Sequence, residues 1–298
     1  MNLAASVRQR LKNVSAARGR GFDETIHLFA MERFLYRLGA SQYREAFVLK
    51  GALLFVAWHG DVARPTRDVD LLGQMGSQIE GISAALAAIC AIEAPEDALS
   101  FELLEVEEII QHGRYCGLRA QVRAHLERSR IPFHVDIGFG DPVVPSAVEA
   151  QYPTILPMPR PLVMTYSHES VVAEKLHAMV QHGLINSRLK DYHDLWLLSR
   201  GHNFEGRSLS DAIRATFERR QVPVPQVPVG LDEAYVTDES HAQQWRMIAA
   251  SSHVPDIPSD LASVVQVLRQ FLMPVIAAVA ADTDFHAVWS CPGPWRET

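Results

Sequence analysis

The sequence predicts an α/β (α+β) protein, in which a mixed sheet with flanking helices precedes a mainly helical C-terminal domain. Two patterns support this fold class. Short apolar runs, some alternating with polar residues, fall between residues 47 and 138, as expected for strands. After residue 167, apolar residues recur at the spacing of amphipathic helices. The proline-rich segment 151–161 separates the two patterns, so we predict domains at 1–160 and 161–298.

The individual elements follow in chain order. A leading helical region runs to about residue 40, with a predicted N-terminal cap at Asp23. The first domain then contains a strand at 47–49, a helix at 52–58, a strand at 68–72, a helix at 77–92 and strands at 101–106, 115–124 and 131–138. The second domain contains helices at 168–182, 189–199, 208–220, 239–250 and 259–281, and an irregular end that carries an exposed Trp295.

Two aspartates stand two residues apart in the apolar-flanked run Asp68-Val69-Asp70-Leu71-Leu72. In a strand, residues at this spacing face the same side of the sheet. Two carboxylates on one face attract a divalent cation, so the run predicts a metal site at Asp68 and Asp70. Isolated pairs of this kind also occur at solvated strand ends, and the prediction depends on the neighbouring motifs.

A later run supplies a third carboxylate. Apolar residues at 133, 135 and 137 alternate with His134, Asp136 and Gly138, so a strand here buries the first set and presents the second. Asp136 is therefore a candidate third metal ligand, and His134 lies on the same face. Three carboxylates on strands can hold Mg²⁺, or Mn²⁺, and so align a hydroxyl with a nucleoside triphosphate that releases pyrophosphate.

Gly51 falls between a short apolar strand and an apolar helix that starts at Ala52. The backbone N–H groups and the positive dipole at such a helix start suit an anion. This turn is the predicted phosphate site. A glycine before a helix can also serve packing alone.

The chain resembles the AbiEii family, nucleotidyltransferase toxins of bacterial toxin–antitoxin and phage-defence systems that include the mycobacterial MenT toxins. The resemblance covers roughly residues 47 to 200. It is carried by five motifs: Leu49-Lys50-Gly51-Ala52-Leu53-Leu54, Arg64-Pro65-Thr66-Arg67-Asp68-Val69-Asp70-Leu71, His134-Val135-Asp136-Ile137, Glu169–Leu176 and Arg188-Leu189-Lys190-Asp191-Tyr192-His193-Asp194-Leu195. One departure is Ala52, where related enzymes often carry glycine, serine or threonine, so only backbone donors remain there.

The resemblance implies a polymerase-β-like nucleotidyltransferase fold and assigns roles to particular residues. It implies Asp68, Asp70 and Asp136 as metal ligands, and Lys175 and Asp191 as further catalytic residues. Lys175 lies on a predicted helix from which it can reach a triphosphate. The implied nucleotide-binding residues are Lys50, Gly51, Ala52, Thr66, Arg67, Lys175, Arg188 and Lys190.

The resemblance also implies the substrates and partners. The donor is an NTP, the acceptor is RNA, in several relatives the tRNA 3′ end, and modification blocks translation. A cognate antitoxin protein is an expected partner. Two alternatives stay open. The acceptor could be a hydroxyl of a protein or a small molecule, or the chain could be a non-catalytic partner-binding protein that kept the fold.

Composition limits the remaining possibilities. The net charge of −7 does not indicate a nucleic-acid binder, yet the segment before Asp23 contains five basic residues and no acid. A second basic cluster comprises Arg114, Arg119, Arg123, Arg128 and Arg130. We predict RNA contacts at Arg119 and Arg123, with pairing to nearby glutamates as the alternative.

Three scattered cysteines argue against a disulfide framework and against a structural zinc site. No charged-then-apolar leader is visible, and Leu261–Ala281 is interrupted by polar residues. We therefore expect a bacterial cytoplasmic protein without a membrane span.

Overall fold

The computed structural model of the chain describes residues 3–60, 66–111, 115–185, 188–252 and 254–297. The chain divides into two compact units. The first comprises Met1–Asp141 with Ala147–Tyr166, and the second comprises Pro142–Ser146 with Ser167–Thr298. Of the predicted basic cluster, Arg114 lies outside the described residues.

The first unit is a seven-stranded mixed sheet with helices, as the sequence predicts. Its helices are α1 (Leu3–Ala17), α2 (Phe22–Ala40), α3 (Ala52–His59) and α4 (Ile79–Cys90). Its strands are β1 (Phe47–Lys50), β2 (Asp68–Gly73), β3 (Ser100–Gln111), β4 (Tyr115–Leu126), β5 (Ser129–Phe139), β6 (Val148–Gln151) and β7 (Leu162–Thr165).

The strand order is β3-β4-β5-β2-β1-β7-β6. β2 is central, parallel to β5 and antiparallel to β1, while β1 is parallel to β7. β6 and β7 flank the proline-rich segment, and both belong to the sheet of this unit. The order brings together strands that are far apart in the chain, so β2 can present its side chains next to those of β5.

One face of the sheet is covered by α2. Phe34 of α2 packs edge-on against Phe133 of β5, with ring centroids 5.7 Å apart. Val69 and Val135 on the same side are fully buried. Because side chains alternate along a strand, Asp68, Asp70 and Asp136 belong to the opposite face.

A buried ionic network fixes α2 to the segment before β3. Asp97 accepts hydrogen bonds from Arg33 Nε at 2.9 Å and from Arg37 NH1 at 2.7 Å. All three side chains are excluded from water, so the charges are compensated within the network. The helix itself begins one residue after Gly21, its N-cap. The predicted cap at Asp23 was therefore wrong: Asp23 lies in the first turn, where an acid compensates the helix dipole.

The second unit is mainly helical, as predicted. Its helices are α5 (His168–His182), α6 (Leu189–Gly201), α7 (Gly206–Arg219), α8 (Glu233–Val236), α9 (Glu239–Ser251) and α10 (Leu261–Ala280), and its strands are β8 (Phe204–Glu205), β9 (Ala287–Trp289) and β10 (Trp295–Glu297). The three short strands form a sheet in the order β10-β9-β8, which the sequence did not predict.

The end of the chain is ordered against this unit. Trp295 donates its indole N–H to the carbonyl of Phe271 at 2.8 Å, and the two rings stack with centroids 6.0 Å apart. The expectation of an exposed Trp295 in an irregular tail was therefore wrong, because β10 and α10 hold the indole.

By length and composition, α10 is a helix that could cross a membrane, with a mean hydropathy of 1.6 over its most apolar window. In the structure it packs against α6, α7 and α9 of its own unit. Its inward face, which includes Leu268, Phe271 and Leu272, is fully buried. These contacts are those of a helix that packs in the core of its unit.

Candidate functional site

A row of charged residues crosses the centre of the sheet in the first unit. The register places Lys50 of β1 opposite Asp70 of β2, Asp70 opposite Asp136 of β5, and Asp136 opposite Arg119 of β4. Residues that are directly opposite on neighbouring strands point to the same face. The row therefore runs positive, negative, negative, positive, with the two carboxylates side by side.

Asp68 extends the acidic part of this row by one step along β2. It lies two residues before Asp70 and opposite His134 in the parallel register with β5. The Nδ1 atom of His134 lies 3.2 Å from Asp68 Oδ1, and both side chains are 44% exposed. Three carboxylates and one imidazole thus share a face, and the Asp68 side chain is more exposed than that of Asp136.

Asp136 is held by a two-pronged ion pair. Arg119 donates from Nε to one carboxylate oxygen and from NH2 to the other, both at 2.7 Å. The Asp136 side chain is 11% exposed. The hydrogen bonds to Asp136 raise the pKa of Arg119 above its ordinary value, so the guanidinium is permanently charged. Such a planar fork fixes the carboxylate orientation as well as neutralising its charge.

Gly51 is packed against Asp70. Its backbone has φ +70° and ψ −154°, a region that residues with a Cβ avoid. A Cβ built on Gly51 would lie 2.0 Å from Asp70 Oδ2 and 2.7 Å from Asp70 Cβ. Two features therefore require glycine at this position. One is the positive φ of the turn between β1 and α3, and the other is the close packing of the backbone against the Asp70 carboxylate. Ala52, the first residue of α3, is buried and offers only its backbone.

The neighbours of the row complete its surroundings. Lys50 Nζ lies 3.4 Å from Asp141 Oδ2 and 5.3 Å from the centroid of the Tyr166 ring. The Thr66 hydroxyl lies 3.3 Å from the backbone N–H of Asp68, and so caps the start of β2. Arg67 is 70% exposed and pairs with Asp23 at 2.7 Å.

These residues can be tested for their fit to a divalent cation. Mg²⁺ and Mn²⁺ take carboxylate oxygens, which Asp68 and Asp70 offer from one face of β2. Within the described part of the chain, no group of three or more acidic, histidine or cysteine side chains has the spacing of a formed metal centre. Arg119 occupies both oxygens of Asp136. Each of these oxygens accepts one hydrogen bond and keeps a second lone pair. The residue types at Asp68, Asp70 and Asp136 therefore fit a divalent cation.

A separate ionic cluster lies in the second unit. Lys175 of α5 donates to Asp191 Oδ1 at 2.7 Å and to Asp194 Oδ2 at 2.8 Å, both on α6. Arg188 Nε lies 3.1 Å from Asp191 Oδ2. The lysine is 13% exposed and the two aspartates 5% and 1%, so the cluster is nearly dry. Lys190, one residue before Asp191, is exposed.

Sequence reasoning missed Asp194 as a member of this cluster. Its spacing of three residues from Asp191 places both carboxylates on one helix face, which was the available signal. The predicted RNA contacts also have partners: Arg119 pairs with Asp136, and Arg123 lies 3.3 Å from Glu102.

Comparisons with known proteins complete the description. The chain matches the family model "Nucleotidyl transferase AbiEii toxin, Type IV TA system" over residues 33–269. No curated protein matches it. Among solved structures, it is similar to a candidate nucleotidyltransferase from Helicobacter pylori, with 15% identity, 88% of this chain and 98% of that chain covered, and a TM-score of 0.42. It is also similar to the JHP933 protein from Helicobacter pylori, with 14% identity, 85% of this chain and 90% of that chain covered, and a TM-score of 0.40.

Proposed function

Because the chain belongs to the AbiEii nucleotidyltransferase toxin family, we propose that it transfers nucleotides from an NTP to an RNA acceptor in a metal-dependent reaction. The observation that carries this proposal is the row of Asp70 and Asp136 on adjacent strands, with Asp68 beside them and Gly51 packed against Asp70. The acids offer a site for a cation. The glycine turn at the start of α3 offers a site for an anion beside it.

In the proposed site, Asp68 and Asp70 hold Mg²⁺ or Mn²⁺, and Asp136 is the third ligand. The cation supplies charge neutralisation for the triphosphate and for the departing pyrophosphate. Arg119 keeps the Asp136 carboxylate in one orientation. We also propose that Asp136 helps to deprotonate the acceptor hydroxyl.

The phosphates of the donor are assigned to the Gly51 turn. The free backbone N–H groups at the start of α3 and the positive end of its dipole favour an anion there. Lys50 adds a positive charge one residue earlier, and Thr66 and Arg67 flank the strand that carries Asp68. We also assign Lys175, Arg188, Lys190 and Asp191 to the nucleotide, on the strength of the family pattern that they match.

For the acceptor, we propose the 3′ end of tRNA, so that the added nucleotides stop translation. Membership of a toxin family supports this acceptor, since the target of a toxin must be essential to the cell. We propose that the chain acts in the bacterial cytoplasm, where a cognate antitoxin protein binds it. The same site could instead modify a hydroxyl of a protein or a small molecule, and the experiment below separates these acceptors.

The purified chain is incubated with total bacterial RNA and, in separate reactions, with each labelled NTP in Mg²⁺, in Mn²⁺ or in EDTA. We expect label in the tRNA band with one or more NTPs, and none in EDTA. Label at the 3′ end is confirmed by its loss after periodate treatment of the RNA beforehand. Label in protein, or in small molecules of a whole extract, with none in RNA would reject the RNA acceptor.

A further inference from the structure

The first helix carries a basic face that the catalytic row does not use. Arg8, Arg10 and Lys12 lie on α1, and no acidic residue precedes Asp23 in the chain. Val7, Leu11 and Ser15 form the buried side of α1, which packs on α2. Arg8 and Lys12 are exposed. The helix is therefore fixed to the unit by one side and presents cations on the other.

Arg8 and Lys12 converge on an aromatic ring. Their charged groups lie 6.0 Å and 5.9 Å from the centroid of Phe22, the first residue of α2. The two cations are four residues apart on one helix, an arrangement of like charges that costs a helix a few tenths of a kcal/mol without an anion. Both cations lie at the outer range of a cation–π contact with this ring, so two positive charges share one exposed side of α1.

This basic face connects with the start of β2. Asp23, the neighbour of Phe22, accepts a hydrogen bond from Arg67 NH2 at 2.7 Å. Arg67 is 70% exposed and immediately precedes Asp68. The chain thus places Arg8, Lys12, Phe22 and Arg67 along a path that ends one residue from the proposed metal site. The two acids next to Phe22 are each matched by a cation, since Asp23 pairs with Arg67 and Glu24 pairs with Arg20. Arg8 and Lys12 therefore supply the excess positive charge of this face.

The edge strand β3 has a different electrostatic character. β3 carries Glu102, Glu105, Glu107 and Glu108, and Arg119 and Arg123 of β4 are paired with acids of neighbouring strands. A polyanion is repelled by such an edge and attracted by the basic face of α1.

We propose that the face formed by Arg8, Lys12, Phe22 and Arg67 binds the phosphate backbone of the acceptor RNA and directs its 3′ end towards Asp68. This inference rests on the proposed RNA acceptor. It assigns the contact to α1 instead of the arginines of β4.

The test compares two pairs of substitutions in the full chain. Arg8→Gln with Lys12→Gln removes two of the three cations of α1, and Arg123→Gln with Arg130→Gln removes two positive charges from β4 and β5. Binding of labelled tRNA is measured by filter retention over a series of KCl concentrations without NTP. Each lost phosphate contact lowers the slope of log affinity against log salt by about 0.7 to 0.9. Thermal melting verifies that both pairs fold.

We expect the α1 pair to reduce the slope by about 1.5 and to weaken binding about tenfold at moderate salt, while the β4–β5 pair leaves the slope unchanged. The KM for tRNA rises in the α1 pair and the KM for NTP does not.

Three outcomes would overturn the inference. Equal slopes in wild type and the α1 pair, with RNA still retained, reject this surface and leave the RNA acceptor intact. No retention of RNA by the wild type rejects both. Binding of labelled polyglutamate is measured in the same way for the wild type and the α1 pair. If the α1 pair retains RNA normally but loses binding to polyglutamate, the face is a docking surface for an acidic protein.

Discussion

The substitution Gly51→Ala tests how the turn and the carboxylate depend on each other. The positive φ of +70° costs an alanine about 1–3 kcal/mol of backbone strain. The added methyl would also lie 2.7 Å from Asp70 Cβ, so rotation of the carboxylate alone cannot relieve the clash and β2 must shift. A displaced metal ligand that loses about 3 kcal/mol of transition-state stabilisation slows transfer about a hundredfold.

Gly60→Ala is the matched control, because Gly60 caps the other end of α3 with a similar backbone, φ +60° and ψ −125°. No atom of the described residues lies within 4 Å of a Cβ built there. Both variants should lose stability in thermal melts from the positive φ, and Gly51→Ala should lose more because of its clash with Asp70. Only Gly51→Ala should lose transfer. Equal activity losses in the two variants, or normal transfer in Gly51→Ala, would refute the contact between the turn and Asp70 as the cause.

Further predictions concern the Lys175 cluster and Glu32, a buried carboxyl of α2 that accepts a hydrogen bond from the backbone N–H of Ile155. Lys175→Ala should destabilise the chain by about 3–5 kcal/mol in denaturant melts, because Asp191 and Asp194 stay buried without their shared cation. The exposed Lys190→Ala should change stability by less than about 0.5 kcal/mol, and equal effects would reject the buried cluster. Burial raises the pKa of Glu32 to about 8, so the folded chain keeps a proton that the unfolded chain loses above its ordinary pKa of 4.5. The contribution of Glu32 to the free energy of unfolding is complete below pH 4.5. Between pH 4.5 and about pH 8 this contribution falls by about 1.4 kcal/mol per pH unit. Glu32→Gln should flatten this decline, and an unchanged pH profile of stability would contradict the assigned burial effect.

Much of the proposed site follows from local sequence pattern. The period-two alternation around Asp136 and the spacing of Asp68 and Asp70 gave the face of each carboxylate, because strand geometry depends on neighbours in the chain. The strand-to-helix turn at Gly51 was predicted for the same reason. Its contact with Asp70 was not, because the contact depends on the pairing of β1 with β2.

The pairing of Arg119 with Asp136 could have been predicted by counting residues from the turn between β4 and β5. β4 and β5 are joined by the two-residue loop Glu127-Arg128, since Leu126 is opposite Ser129. A hairpin with a known loop has a fixed register, which places Arg119 opposite Asp136. The loop lacks the Asn-Gly or Asp-Gly pair that marks such turns, and the two strands were predicted without their connection.

Other parts of the structure depend on long-range packing. The parallel pairing of β2 with β5 joins segments some sixty residues apart, which periodicity does not encode. The strands β8, β9 and β10 are too short to show alternation, and they form because Trp289 and Trp295 pack on α10. Lys175 meets Asp191 and Asp194 only after α5 packs on α6.

The central claim is that the carboxylates of β2 carry the transfer reaction. The most direct measurement is single-turnover transfer of a labelled nucleotide by Asp68→Ala and Asp70→Ala, with Glu45→Gln as a control whose side chain is 83% exposed. We predict a loss of at least about a hundredfold in both aspartate variants, with melting temperatures close to wild type and full activity in the control. Wild-type rates in either folded aspartate variant would contradict the account.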